Sequence, residues 1–177
     1  AHTKESDSEA KRAQIALYTD LAPEDLADGA FDARLFNEAF KLVGKKNFAL
    51  FYDAAKYMGS SNYHSRARRF ADVTQGLIKE TELYEQIDKT RNKDALCALG
   101  LVPLPKSKVD TALLKRYKRI QAFLKESKQF GAQRQTSEKR TAEIALINLA
   151  RSAGYDDVIQ LVWRMEGHLV ADNKAML

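Results

Sequence analysis

Apolar residues in this chain recur at intervals of three and four, the spacing of one helix face, and no stretch sustains the alternation of a half-buried strand. The pattern predicts a row of short helices with short connections. Helix one spans about Ser8 to Tyr18, with an apolar end at Ile15, Leu17 and Tyr18. Pro23 suits the first turn of a short piece, PEDLA, where its missing N–H has no helical partner to lose; Asp28 and Gly29 then break the chain. A second helix, about Asp32 to Val43, carries the stripe Leu35, Phe36, Ala39, Phe40 and Val43 and is closed by Gly44. A third, about Lys46 to Met58, ends at Gly59 before an SSN turn. Helix four covers about Tyr63 to Val73, and helix five about Gln75 to Thr90, apolar at Leu77, Ile78, Leu83, Tyr84 and Ile87. Asn92 caps a short sixth helix, KDALCALG, which the VPLP segment stops because proline removes a donor and restricts the residue before it. Three longer helices follow, at about Asp110 to Phe130, Ser137 to Ala153 and Asp156 to Val170. Gly154 is a left-handed cap after the eighth, and Asp156 and Asp157 sit at the positive end of the ninth.

The expected fold is therefore all-α: stacked helical hairpins of the HEAT or armadillo kind, or an irregular multi-helix bundle. No fixed-period self-similarity marks a strict repeat. Residues 1–7 are polar and aperiodic and are expected to fray, which leaves one all-α domain over residues 8–177. The chain starts without Met and stops after a helical pattern, so it reads as a piece of a longer protein. Composition agrees with the fold. Eight Gly and three Pro in 177 residues are too few for a turn-rich β protein, and good helix formers dominate. The single Cys97 lies in the apolar run ALCALGLV and reads as a buried, reduced thiol. With no signal-peptide pattern and no membrane-length apolar run, it predicts a cytoplasmic protein.

Charge changes the picture in one region. From Lys106 to Arg140 there are eleven basic residues against three acidic ones, while the whole chain carries only +5. On a helical wheel Leu113, Leu114, Tyr117, Ile120 and Leu124 share one side, and Lys115, Lys118, Arg119 and Lys125 the other. A second cluster, Arg66, Arg68 and Arg69, opens helix four, and arginine can grip phosphate with two parallel hydrogen bonds. Such faces attract an acidic protein or nucleic acid, and fit equally the solvated side of a packed helix. No recognised nucleic-acid module accompanies them.

Catalytic chemistry finds little support. Three scattered His and one Cys give no metal-ligand spacing, and neither a nucleophile elbow nor a glycine-rich phosphate loop occurs. No cofactor, metal or catalytic residue is predicted. Glu143 and Glu166, set among apolar residues, are expected to be buried in structural ion pairs with Arg140, Arg151 or Arg164. Phe36, Phe40, Phe48, Phe51 and Trp163 are expected in the core, from their helical spacing. The polar GAQRQ turn between helices seven and eight reads as a set of caps on helix carbonyls, with ligand contact as the other use of such side chains.

Three stretches carry a resemblance: KDALCALGLVPLP, RYKRIQAFLKESKQFGAQRQTSE and EIALINLARSAGYDDVIQLVWRME, together covering roughly Lys93 to Glu166. This half resembles a domain of unknown function from large bacterial proteins described as molybdate metabolism regulator-like. The resemblance implies membership of a long multidomain chain, brings no catalytic residues with it, and marks Gln129, Phe130, Gly131, Gln133 and Arg134 as a signature turn. The combined expectation is a non-catalytic helical scaffold whose partner is another domain of the parent protein or an acidic protein. A nucleic-acid-binding module is the alternative, and an enzyme fragment completed by other regions is the third reading.

Overall fold

Helix α6 (Lys93–Leu99) is only two turns long, yet Ala95, Leu96, Cys97, Ala98 and Leu99 are all buried. A helix apolar on every side needs neighbours on every side, and the rest of the chain supplies them. A computed structural model of the protein describes residues 9–54, 57 and 61–175. Among these, the other helices are α1 (Glu9–Ala16), α2 (Pro23–Asp28), α3 (Ala33–Ala54), α4 (Ser61–Thr74), α5 (Glu80–Thr90), α7 (Val109–Glu126), α8 (Ala132–Ser152) and α9 (Val158–Ala175), with a 3₁₀ turn at Ser127–Gln129. No strand occurs among the described residues, so the all-α expectation holds. The expected N-terminal tail and the expected end of the third helix at Met58 and Gly59 lie outside the described residues.

Helix α6 packs on α8, on α5 and on α4, while α7 and α9 close over the far side of α8. Its principal neighbour is thus two helices further along the chain, which makes the arrangement an irregular bundle around α6 rather than a regular row of hairpins. Leu83 and Ile87 of α5, Leu113, Tyr117, Ile120 and Phe123 of α7, Ile144 and Leu149 of α8, and Leu161 and Met165 of α9 fill the core around it.

Small residues set the closeness of the central contact. A Cβ on Gly100, just past α6, would stand 2.6 Å from the Leu149 nitrogen and 2.7 Å from the Ala145 oxygen of α8. Only glycine fits there. Beside it, the fully buried Asn148 side chain joins three backbone segments. Its Nδ2 donates to the Gly29 oxygen at 3.2 Å and to the Cys97 oxygen at 3.1 Å, and its Oδ1 accepts from the Phe31 N–H at 2.8 Å.

Local signals place most helix ends. Asn92 Oδ1 accepts from the Ala95 N–H and caps α6, Asp157 Oδ1 accepts from the Ile159 N–H at the start of α9, and Pro23 opens α2. The expected break at Gly44 is a kink: its backbone is non-helical (φ 75°, ψ 155°) inside α3. Helix α9 runs on to Ala175, past the expected Val170, and two helix starts differ from expectation by five residues. Helix α5 starts at Glu80 rather than Gln75, because Gly76 (φ 74°) closes α4, with its N–H donating to Val73 and that of Leu77 to Asp72. Leu77 is left 68% exposed. Helix α8 starts at Ala132, five residues before Ser137. Most of that extra turn stands off the core, so it carries no apolar period from which to read it.

The aromatic assignments need the largest correction. Trp163 is 74% and Phe51 65% exposed, and Phe36, Phe40 and Phe48 are only half-buried. Phe31, Phe36, Phe40, Phe48 and Tyr52 form a ladder along α3, with successive ring centroids 5.3, 6.1, 4.9 and 5.9 Å apart. Helical spacing reports that a face is apolar, not that another element covers it. Here the face packs largely on itself.

Gly100→Ala is expected to lower unfolding stability in urea by about 1–3 kcal/mol, the usual cost of overpacking a tight contact. Gly131→Ala, at a site with nothing within 4 Å, should change it little.

Candidate functional site

The basic helix α7 divides as its wheel predicts. Leu113, Tyr117 and Ile120 are buried, Leu114 and Leu124 pack against the core, and Lys115, Lys118 and Lys125 are exposed, with Arg119 half-buried. Arg116 departs from its basic neighbours. It is 1% exposed, donates to the Val102 oxygen at 2.6 Å and the Pro103 oxygen at 3.3 Å, and pairs with Glu80 at 3.0 Å. It clamps the VPLP segment, whose carbonyls have no helix to join. The run of positive charge is also answered across space. Lys115 meets Glu80 at 3.3 Å and the face of Tyr84 at 4.6 Å, and Arg119 meets Asp88 at 2.8 Å and Glu126 at 3.5 Å.

The arginines of α4 face inward tasks. Arg66 pairs with Asp94 at 2.8 Å, Arg68 lies over the Tyr52 ring at 4.1 Å, and Arg69 donates to Gln86 at 3.0 Å and to Asn92 at 3.4 Å. Arg69 reaches α5 at Gln86 and Arg119 reaches it at Asp88, two positions that lie about 200° apart round the helix. Helix α5 therefore stands between the two basic clusters, and the structure does not bring them onto one face.

The signature turn is a junction of three helices. The backbone of Phe130 and Gly131 is extended between the 3₁₀ turn and α8, and Gln135 Nε2 donates to the Phe130 oxygen at 2.6 Å. The Arg134 guanidinium lies 3.6 Å from the Phe130 ring centroid, with that of Arg91 at 5.2 Å. Both arginines bind Glu138: Arg91 Nη2 at 2.7 Å and Arg134 Nε at 2.8 Å. Arg91 also donates to the Phe123 oxygen at 2.9 Å and pairs with Glu126 at 2.6 Å. Gln135 thus satisfies a carbonyl of the turn itself, and Arg134 ties the turn to Glu138 of α8. Gln129 and Gln133 point to solvent, and Gln133 borders a cavity described below.

Sequence reasoning missed the centre of this junction. Arg91 caps α5 in the left-handed region (φ 49°), where a non-glycine residue is uncommon, and no periodicity signals it. Glu138 is a deeply buried carboxylate, 1% exposed; its spacing of four from Arg134 is the available sign. Glu143 and Glu166, expected to be buried, are exposed. Glu143 does pair with Arg140, at 3.7 Å, but at the surface, and Glu166 accepts from the Tyr117 hydroxyl at 2.5 Å. Arg140 pairs more closely with Asp25 and Asp28, Arg151 with Asp20 and Asp32, and Arg164 with Asp110, beside which His168 stands at 3.7 Å.

These groups are set for binding one another. Arg151 holds Asp20, and Arg164 holds Asp110, below the usual carboxylate range. Burial pushes Glu138 up, but its hydrogen bonds from Arg91 and Arg134 outweigh that and bring it to about 2. Such carboxylates stay ionised and are poor proton carriers near neutral pH. Burial pushes the Cys97 thiol up to about 12, which keeps it protonated and unreactive. Among the described residues no group of three or more His, Cys, Asp or Glu could hold a metal ion, and no helix is long and apolar enough to cross a membrane.

The Glu138 junction has a pH signature. Its folded value lies below the unfolded one, so it stabilises fully above the ordinary 4.5 and loses that contribution as pH falls towards about 2. The contribution is on the order of 3 kcal/mol at neutral pH. Unfolding midpoints measured between neutral and acid pH should fall through this window, and Glu138→Gln should be less stable at neutral pH and flatter across it.

Neither a curated protein nor a solved structure matches the chain. A family of unknown function, DUF5724, matches residues 1–165. The match extends well beyond the Lys93 to Glu166 stretch on which the resemblance rested, and takes in the N-terminal helices from residue 1. Nothing links the family to molybdate regulators, which corrects that part of the resemblance. The chain belongs to the DUF5724 family of unknown function.

Proposed function

We propose that this chain is a non-catalytic helical scaffold that presents a protein-interaction surface inside a larger cytoplasmic bacterial protein. The observation that carries the reading is the outer side of α3. Leu42, Leu50 and Phe51 are 89, 66 and 65% exposed there, next to the half-buried aromatic ladder. Large apolar side chains left to solvent on one element, on both sides of its kink at Gly44, fit a contact site in a soluble protein. The ion pairs support the same reading, because they lock α2, α5, α7 and α8 together and leave a rigid body from which to present a surface. The occupant is another domain of the parent protein. The basic side of α7 is the second contact, suited to an acidic segment through Lys118 and Lys125, which lie two helical turns apart on exposed positions. A nucleic-acid partner draws less support, since the carboxylates of α5 lie against part of the basic face and interrupt it.

The α3 surface is testable without knowing its partner. The double variant Leu50→Glu, Phe51→Glu should unfold within about 1 kcal/mol of the parent, as exposed substitutions do. It should also abolish binding of an apolar dye and any concentration-dependent self-association seen by sedimentation. A large loss of stability would place these residues in a core and overturn the reading.

A further inference from the structure

An open cavity of about 570 Å³ that no sequence pattern indicated lies between α4, α6 and α8, with Asp28 of α2 at its edge. Its size lies in the range of small-molecule sites. Cys97 and Ile144, both buried, line its inner side. The rim is charged and hydrogen-bonding, and most of it is already satisfied. Arg66 is matched by Asp94 at 2.8 Å, and Arg140 by Asp28 at 2.6 Å and Asp25 at 2.8 Å. Thr136 and Thr141 turn their hydroxyls back to α8 carbonyls, at 3.0 and 2.9 Å.

Lys93 is the exception. Its Nζ donates to the Ser137 hydroxyl at 2.6 Å, and among the described residues no carboxylate answers its charge. Ser137 Oγ accepts that bond and keeps its own proton to donate. Gln133, one helical turn earlier on α8, brings an amide with two further donors to the same rim. Three donor groups from two helices thus border one pocket, and Lys93 is the cation there with no carboxylate of its own among the described residues, whereas Arg66 pairs with Asp94 and Arg140 with Asp25 and Asp28. A ligand oxygen carrying negative charge would give Lys93 the partner that the two arginines already have.

We propose that this cavity binds a small organic monocarboxylate, its carboxylate held by Lys93, Ser137 and Gln133 and its body lying against Cys97 and Ile144. The Arg66–Asp94 and Arg140–Asp28 pairs form the polar walls and offer acceptors and donors to hydroxyl or amide groups on that body. This site is separate from the α3 surface and does not depend on it.

The test is a titration of ¹⁵N-labelled protein with acetate, lactate and glutamate, and with inorganic phosphate and chloride at matched ionic strength, followed by amide chemical shifts. Saturable shifts confined to the Gln133 side-chain amide and the backbone of Lys93, Ser137 and Cys97, produced by a carboxylate, are expected. Lys93→Gln should weaken that binding by about tenfold or more, as loss of a charged hydrogen-bond donor does, while the remaining spectrum stays unchanged. Ser137→Ala, which leaves the charge in place, should weaken it less. Linear shifts that never saturate, saturation by phosphate or chloride alone, or equal affinity in Lys93→Gln would each overturn the proposal.

Discussion

The close approach of α6 to α8 is the constraint on which the remaining architecture depends. Gly100 allows it, Ala145 and Leu149 of α8 face it, and Asn148 exploits it. The Asn148 side chain reaches residues 117 and 119 positions away in sequence, at Phe31 and Gly29, as well as Cys97. All three of its partners are backbone groups with no regular secondary structure to satisfy them at that point. Removing it would leave each one unpaired, at about 1–3 kcal/mol for every buried group. Arg140 and Arg151 stand on the same side of α8 and pair with Asp25, Asp28, Asp20 and Asp32. One side of a single helix therefore holds the segment from Asp20 to Asp32 chiefly by polar contacts, while its other side builds the apolar core.

Electrostatics here is organised by space rather than by sequence. The eleven basic residues between Lys106 and Arg140 look like one binding face in a linear reading. In the fold, Arg116 is spent on the carbonyls of Val102 and Pro103, Arg119 on Asp88 and Glu126, Arg134 on Glu138, and Arg140 on two aspartates. The lysines stand further out: Lys115, Lys118 and Lys125 are exposed, with Lys115 beside Glu80. That division follows from the chemistry of the two side chains: a planar guanidinium can serve several acceptors inside a junction, whereas an ammonium is more strongly hydrated.

Much of the fold was legible in the sequence because its determinants are local. Apolar period, the Asn92 cap, Pro23, Gly44 and the VPLP stop locate most helices within a few residues. The apolar side of α7 was read correctly for the same reason. The junctions were not legible, because they depend on partners far away in sequence. Nothing near Arg91 says that it will serve Glu126, Glu138 and the Phe123 carbonyl, and nothing near Asn148 says that it will bind Phe31. The aromatic residues of α3 and Trp163 show the opposite failure: their pattern was clear, but a pattern cannot reveal whether anything covers it. In the turn from Gln129 to Arg134, Gln135 satisfies the Phe130 carbonyl and Arg134 stacks on the Phe130 ring, contacts that again join residues near in sequence.

Native-state hydrogen exchange at the Phe31 amide tests the central claim most directly. If Asn148 couples the N-terminal helices to the core, that amide should open with the same free energy as Leu149 in α8, and both should open together as denaturant is added. Exchange of Phe31 along with the amides of α1, while Leu149 stays protected, would contradict the account.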